Sequence, residues 1–179
     1  SGARVKGAYT AGDRTKLATQ IADAITAQGS ENIDIIVFNI MTNDTDSTSY
    51  GNYATAMAKT DINTLDLTNF AEAIRYAFWK VSSQWVNAKI YACTPIRRVN
   101  GFNEVNMNAC INLLKQIAEY YNITIIDQYN KSGISQQYEI VGVGRYLTDG
   151  LHPSILGQKL QSKLISNEII KDFIFKTIY

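Results

Sequence analysis

The stretch Ile33-Asp34-Ile35-Ile36-Val37-Phe38-Asn39-Ile40 is a nearly continuous run of apolar, mostly β-branched residues. Such a run predicts a β-strand that is covered on both faces, as the strands of parallel sheets are. Two shorter apolar runs, at residues 89–93 and 123–127, predict further strands. The chain is therefore expected to contain a buried parallel sheet.

Segments with apolar residues at helical spacing separate and flank these strands, and they predict four helices. The segments are residues 17–29, 68–85 with Thr68 as the N-cap, 105–121 and 154–173. Strands that alternate with helices predict an α/β fold, here as a single domain over residues 1–179. The polar segment 46–66 is expected to be a long loop, and residues 138–143 a strand-like pair.

The composition limits the classes of partner. The 179 residues are 46% hydrophobic and 18% charged, which is typical of a globular protein. Seventeen basic and sixteen acidic residues give a net charge of +1, so we expect no nucleic acid and no anionic membrane as a partner. Cys93 and Cys110 lie in apolar patterns without a CxxC or Cys/His cluster, which indicates buried thiols and no metal site. No cofactor is expected.

Polar residues follow the 33–40 strand abruptly, at Met41-Thr42-Asn43-Asp44. Ligands in open α/β sheets bind beyond the carboxyl ends of strands, so Asn43 is a candidate functional residue. An Asx-turn that closes the strand is the structural alternative. Tyr50 and Tyr53, in the segment that follows, are candidates to line a substrate groove, because tyrosine offers an apolar face and a polar tip. Ordinary surface tyrosines are the alternative.

The stretch Asp149-Gly150-Leu151-His152-Pro153-Ser154 holds the only histidine of the chain, three residues after a carboxylate. An Asp that accepts from one ring nitrogen fixes the tautomer that leaves the other nitrogen free to take a proton, as in a catalytic base. Pro153 favours the first position of a helix, which would place His152 at the N-terminus of the last one. A surface histidine in a Gly- and Pro-containing turn is the alternative.

The stretch from Asp149 to Ser154, with Gly157 after it, resembles the last sequence block of the SGNH (GDSL-type) hydrolases. The resemblance implies a three-layer α/β/α fold with a parallel, flavodoxin-like sheet. It also implies a serine ester hydrolase that acts on a small ester or an acetylated carbohydrate. In that family the Asp and His of this block complete a triad with a serine, which assigns the base to His152 and its orientation to Asp149.

Two further blocks carry the resemblance. Met41-Thr42-Asn43-Asp44 is similar to the block Gly-x-Asn-Asp, whose asparagine amide donates to the oxyanion; Met41 stands where the family has Gly. Ser1-Gly2-Ala3 is similar to the block whose glycine N–H is the second oxyanion donor, which implies that role for Gly2. A Thr-Pro strand ending is also similar, and Arg97 on the loop after it is a candidate to meet an anionic or sugar-like group, with solvated charge as the alternative.

The nucleophile block Gly-Asp-Ser is absent, and the nearest string is Gly12-Asp13-Arg14. The resemblance therefore implies that the chain begins about two strands into the fold and lacks the first strands of the sheet. A serine would come from outside this sequence, on an upstream segment or a second chain that completes the sheet beside the 33–40 strand, since such an apolar edge is rarely left open.

Two rival functions remain. One is a non-catalytic binding or structural module that keeps the hydrolase fold, for instance in a surface or virion assembly. The other is a flavodoxin-like or nucleotide-binding domain. The sequence lacks a Gly-rich phosphate loop between a strand and a helix, which argues against this function.

Overall fold

Among the residues that the structure describes, three strands form one sheet. The computed structural model describes residues 3–29, 31–44, 49–99, 103–139 and 144–174. The strands are β1 (Ile35–Asn39), β2 (Lys89–Cys93) and β3 (Thr124–Ile126), in the spatial order β1-β2-β3. β1 and β2 pair in parallel, with Ile35 opposite Lys89. The predicted α/β class with a parallel sheet is confirmed.

Helices separate the strands and follow them. They are α1 (Leu17–Gln28), α2 (Tyr53–Ala58), α3 (Phe70–Gln84), α4 (Glu104–Tyr120), α5 (Gln128–Lys131), α6 (Gln136–Glu139) and α7 (Ile155–Ile174), with a 3₁₀ turn at Ile62–Thr64. The four long helices match the predicted ones to within a few residues. The amphipathic patterns were therefore sufficient to locate them.

The start of α3 differs from the prediction. Asn69, rather than Thr68, is the N-cap: its side-chain oxygen accepts from the N–H of Glu72 at 3.0 Å. The Asn69 amide donates in turn to the Glu72 carboxylate at 3.2 Å, so the two side chains cap the helix together. Thr68 instead bonds to Asp66 in the preceding turn.

Two segments predicted as loop or strand are helical. Within the segment 46–66, Asn52 caps α2 by accepting from the N–H of Thr55, and the 3₁₀ turn follows. The strand-like pair predicted at residues 138–143 is wrong at its start, because Glu139 ends α6; residues 140–143 lie outside the described residues. Both errors come from helices of six and four residues, which are too short to show an apolar pattern at helical spacing.

The described chain divides into two compact units. The first comprises Ser1–Cys93 and Asn103–Ile125. Its core lies where α3 packs against α1 and α4, and there the ring of Phe38 on β1 meets the ring of Phe78 edge-on at 5.3 Å. Cys93 and Cys110 are both buried in this unit, as predicted, and burial raises the pKa of the Cys110 thiol to about 12.

β1 is the edge strand of the described sheet, and only part of it is covered. Phe38 is buried, whereas Ile35 is 39% and Val37 37% exposed. The prediction that this strand is covered on both faces is therefore wrong for the chain as described. An open apolar groove of about 300 Å³, lined by residues such as Ile21, runs along β1.

The second unit comprises Thr94–Phe102 and Ile126–Tyr179. Its apolar centre is small: Ile96, Ile134 and Leu147 are buried together, with Tyr146 and Leu160 packed against them. Among the described residues of α7, only Gly157 is buried.

Candidate active site

The turn after β1 is called the asparagine turn here (residues 41–44). Met41 is fully buried with a φ of +89°, a left-handed conformation that is strained for a residue with a side chain. The N–H of Asp44 donates to the Met41 carbonyl at 3.0 Å and closes the turn. Glycine takes such a φ without strain, which accounts for the glycine in the sequence block that this turn resembles.

Asn43 is half-buried, and its Nδ2 donates to the carbonyl of Ala3 at 3.1 Å. An amide nitrogen carries two N–H groups, so this bond orients the side chain and leaves a second donor. The Asx-turn considered from the sequence is not what holds Asn43; a residue 40 positions earlier does.

Asp44 holds the same N-terminal segment. Its carboxylate accepts from the N–H of Val5 at 2.8 Å and of Lys6 at 3.1 Å, and the residue is 1% exposed. Burial raises the pKa of Asp44, although the two backbone bonds and the charges of Lys6 and Arg4 oppose the shift. No local sequence pattern predicts this role of Asp44, because its partners are 39 and 38 residues away.

Asp149 and His152 lie at the tip of a short hairpin, called the dyad hairpin here (residues 145–154). Leu147 and Pro153 form an antiparallel bridge, the N–H of Thr148 donates to the His152 carbonyl at 2.8 Å, and the N–H of Ser154 donates to the Tyr146 carbonyl at 2.8 Å. These backbone bonds fix the two ends of the tip. The tip itself is therefore a closed turn on a defined base.

The last helix begins later than Pro153 suggested. Ser154 precedes α7, and its hydroxyl accepts from the N–H of Gly157 at 3.2 Å, as an N-cap does. Pro153 is in the antiparallel bridge instead of the first helical position, which corrects the prediction. His152 consequently lies three residues before α7, in the hairpin.

The side chains of Asp149 and His152 are bonded to each other. Asp149 Oδ2 is 2.7 Å from His152 Nδ1, and Asp149 Oδ1 accepts from the N–H groups of His152 at 2.7 Å and Leu151 at 3.0 Å. These bonds lower the pKa of Asp149 to about 2, the backbone bond from His152 most of all. The His152 side chain is 71% exposed, so Nε2 is open to a reactant.

Gly157 allows the dyad hairpin to approach α7. A Cβ at this position would overlap the carbonyl oxygen of Tyr146 and touch Pro153. The close approach of backbone to helix therefore requires glycine here, which is the physical reason for the trailing glycine of the sequence block.

The sequence profile of the GDSL-like lipase/acylhydrolases matches residues 1–165. The chain belongs to this family. The match confirms the resemblance to the SGNH (GDSL-type) hydrolases that the sequence blocks indicated. Among curated proteins, none matches the chain significantly.

Solved structures place the chain in the fold of the GDSL-like family. A protein from Lactobacillus plantarum is similar with a TM-score of 0.71 at 17% identity, over 96% of this chain and 78% of that one. A lipase/acylhydrolase from Enterococcus faecalis is similar with a TM-score of 0.52 at 18% identity, over 94% of this chain and 92% of that one. At these identities the likeness shows the three-layer α/β/α fold alone.

The remaining candidate residues of this GDSL-like chain are placed as follows. Tyr50 accepts from the N–H of Ala71 through its carbonyl at 3.0 Å, and Tyr53 is the first residue of α2; both are half-buried. Their contact with a substrate stays a prediction. Gly2 lies outside the described residues. Asn43 and the dyad are in different units, so their proximity also stays a prediction.

Arg97 makes contacts within the second unit. Its Nε donates to the Tyr129 carbonyl at 3.0 Å, its Nη2 donates to Asn130 at 3.3 Å, and its guanidinium lies 4.2 Å from the centroid of the Tyr129 ring. These contacts show that the Arg97 side chain is not simply solvated, and they do not show that it binds a ligand. A role in substrate binding stays a prediction, and a role in holding the loop after β3 is evident.

Within residues 3–29, 31–44, 49–99, 103–139 and 144–174, no group of three or more His, Cys, Asp or Glu is arranged to hold a metal ion. No helix in these ranges is long and apolar enough to cross a membrane.

Proposed function

We propose that this chain is the larger part of a serine ester hydrolase that cleaves a small ester or the O-acetyl group of a carbohydrate. The observation that carries the proposal is the hydrogen bond of 2.7 Å between Asp149 Oδ2 and His152 Nδ1 at an exposed hairpin tip. With the proton held on Nδ1, Nε2 presents a lone pair to a nucleophile. Membership of a hydrolase family supports the same reaction class.

In the proposed reaction a serine hydroxyl attacks the carbonyl carbon of the ester while His152 Nε2 takes the hydroxyl proton. The tetrahedral intermediate collapses, the leaving alcohol receives that proton from His152, and an acyl-serine remains. A water then attacks the acyl-serine by the same route and releases the acid. Asp149, whose pKa is lowered to about 2, stays ionised and stabilises the imidazolium that forms in each step.

The negative oxygen of the intermediate would be held by Asn43. Its amide is oriented by the bond to the Ala3 carbonyl, which leaves one N–H for the oxyanion. The N–H of Gly2 is proposed as the second donor, one residue before Ala3. Asp44 supports both, because it binds the N–H groups of the next residues along that segment.

The serine is proposed to come from outside this sequence. Ser154, two residues from His152, is engaged elsewhere, since its hydroxyl donates to the Arg145 carbonyl at 3.1 Å and caps α7. The edge strand β1 and the apolar groove beside it offer a place for a further strand, on an upstream segment or a second chain. Such a strand would also cover Ile35 and Val37.

The test is to produce the chain with its native upstream sequence and to measure hydrolysis of a short-chain aryl ester and of acetylated xylo-oligosaccharides. We expect activity that disappears when the serine after the first upstream strand is changed to Ala, and equally in His152→Ala. Because the His152 side chain is largely exposed, the second variant should fold as the wild type does. Lys159→Ala, on an exposed turn of α7, serves as the control and should keep full activity.

A non-catalytic module that keeps the hydrolase fold is the second candidate, because the nucleophile block Gly-Asp-Ser is absent from this sequence. An upstream sequence without a serine after its first strand would favour this candidate. So would a folded, complete protein that leaves both substrates untouched.

A further inference from the structure

Glu139, the last residue of α6, is a buried acid outside the dyad. It is 5% exposed, and both of its carboxylate oxygens are bonded: Oε1 accepts from the N–H of Tyr146 at 3.0 Å and Oε2 from the N–H of Leu147 at 3.1 Å. Both donors belong to the dyad hairpin. A single side chain thus grips two consecutive backbone groups at the base of the hairpin.

The two bonds from Glu139 hold the first strand of the dyad hairpin, which leads to Asp149. In this strand the Tyr146 carbonyl and the Thr148 N–H face the partner strand and bond across it. The N–H groups of Tyr146 and Leu147 take no part in these cross-strand bonds, and both donate to Glu139. Leu147 is fully buried, so without Glu139 its N–H would lack an acceptor, which is unfavourable in a buried position.

Backbone groups make further contacts that fix the hairpin. The Gly150 carbonyl at its tip accepts from the N–H of Val99 at 2.8 Å, and the Tyr146 carbonyl packs on Gly157. These hold the tip and the helix side. Glu139 holds the remaining side, and Gln136 on the same helix donates to the Arg98 carbonyl at 2.9 Å, which ties α6 to the segment that supports the tip.

We propose that Glu139 is a positioning residue for the Asp149–His152 dyad: by bonding the N–H groups of Tyr146 and Leu147 it fixes the hairpin that aims the imidazole. The proposal deepens the hydrolase function, and only its catalytic consequence rests on that function. The positioning itself is a property of the folded chain.

The test uses Glu139→Gln, which keeps the shape but can offer only one acceptor to the two N–H groups. The matched control is Glu72→Gln. Glu72 is also 5% exposed and also accepts a backbone bond, from the N–H of Asp66 at 2.6 Å, but it lies in the first unit. Both variants lose a buried carboxylate that accepts a backbone bond, and Glu72→Gln also loses the ion pair with Lys59. Glu72→Gln therefore reports the effect of a general loss of stability that arises outside the dyad hairpin.

Nuclear magnetic resonance gives a readout at the dyad, because His152 is the only histidine in the chain and its ring signals need no assignment. At a pH that leaves the imidazole neutral, we expect the ring ¹⁵N shifts of the wild type to show the proton on Nδ1. In Glu139→Gln they should move toward a mixture of tautomers, and the Thr148 amide should exchange at least about tenfold faster. In Glu72→Gln neither quantity should change.

In the active full-length enzyme, Glu139→Gln should lower kcat by about 10- to 100-fold with little change in KM, as expected for a misaligned base. Unchanged ring shifts and Thr148 exchange in folded Glu139→Gln would overturn the proposal, as would equal changes in Glu72→Gln. If Glu139→Gln does not fold, the wild type decides: Tyr146 and Leu147 amides that exchange as fast as those of exposed loops contradict the grip. A protein that hydrolyses no ester but shows the ring shifts refutes the hydrolase function alone.

Discussion

The asparagine turn and the dyad hairpin carry the two halves of the proposed chemistry, and they are built in opposite ways. The asparagine turn is buried and held by partners about 40 residues away: Asn43 binds Ala3, and Asp44 binds Val5 and Lys6. The dyad hairpin is exposed at its tip, and Asp149 binds Leu151 and His152, two and three residues further along the chain. Distant partners thus hold the side chains of the asparagine turn, whereas Asp149 and His152 bond to each other within one turn.

This difference predicts where each site is vulnerable. A change in the asparagine turn should affect both stability and chemistry, because the same residues anchor the N-terminal segment and face the proposed oxyanion. A change at the hairpin tip should affect chemistry alone, because the side chains there are more than half exposed. The predictions below test this contrast, beginning with the largest expected effect.

Asn43→Ala removes the proposed side-chain donor to the oxyanion. In the active full-length enzyme we expect kcat to fall on the order of 10²- to 10³-fold with KM nearly unchanged, because the donor acts on the transition state. Steady-state kinetics on the aryl ester measure this. Loss of the bond to Ala3 should also lower the free energy of unfolding by about 1 kcal/mol.

Asn69→Ala is the control for Asn43→Ala. Asn69 is likewise half-buried, but it caps α3, so its loss should lower stability by about 1 kcal/mol and leave kcat unchanged. If both variants lose activity to the same extent, Asn43 acts through stability and the oxyanion role is wrong.

The sequence predicted the hairpin more completely than the turn, and the reason is the range of the contacts. Asp149 and His152 are three residues apart, so a turn that bonds them can be inferred from the residues themselves. The partners of Asp44 lie almost 40 residues earlier, which no local pattern indicates. The same holds for Glu139, whose partners Tyr146 and Leu147 lie seven and eight residues further along the chain. Glu139 also lies in a segment that the sequence predicted to be a strand.

For the fold, apolar runs and helical periodicity were sufficient to place three strands and four long helices. They failed where short helices interrupt polar segments, as at α2 and α6. They also failed at Pro153, where pairing with Leu147 takes the residue out of the helix. They also could not show that β1 would be only partly covered. An apolar pattern indicates that a strand is suited to burial, but it does not identify the segment that covers the strand.

Asp44→Ala and Asp149→Ala should separate the two regions by stability. The first variant leaves two N–H groups without acceptors, one of them on buried Val5, and should lower the free energy of unfolding by about 2 kcal/mol. The second removes an exposed carboxylate and should leave global unfolding nearly unchanged. Urea denaturation measures both. Equal losses would show that the hairpin tip is as essential to the fold as the buried turn.

The pKa values of Asp44 and Asp149 are shifted in opposite directions, so the interactions of these two carboxylates should be lost in opposite directions of pH. Burial raises the pKa of Asp44 above its ordinary 3.8, so its contribution to stability is full below that value and declines as pH rises through the raised pKa. The pKa of Asp149 is lowered to about 2, so its bonds in the hairpin persist above 3.8 and are lost as pH falls toward 2. Carboxyl ¹³C titrations should therefore show Asp44 above and Asp149 below the ordinary value.

Met41 gives the most specific test, because the difference between two substitutions there concerns one backbone angle in the asparagine turn. Its φ of +89° disfavours any residue with a Cβ, while its buried side chain favours Met. Met41→Ala should destabilise the protein by about 2–5 kcal/mol, because it empties the side-chain site and keeps the strain. Met41→Gly empties the same site but removes the strain, so it should be more stable than Met41→Ala by about 1–2 kcal/mol.

This order reverses the usual one, in which Ala is the more stable residue because Gly loses more backbone entropy on folding. Urea denaturation of the two variants measures the difference directly. If Met41→Ala is the more stable, the backbone at residue 41 is not left-handed in the folded protein. The turn would then differ in shape from the glycine-containing turn that it resembles, and Asn43 would have to be aimed by the Ala3 carbonyl alone.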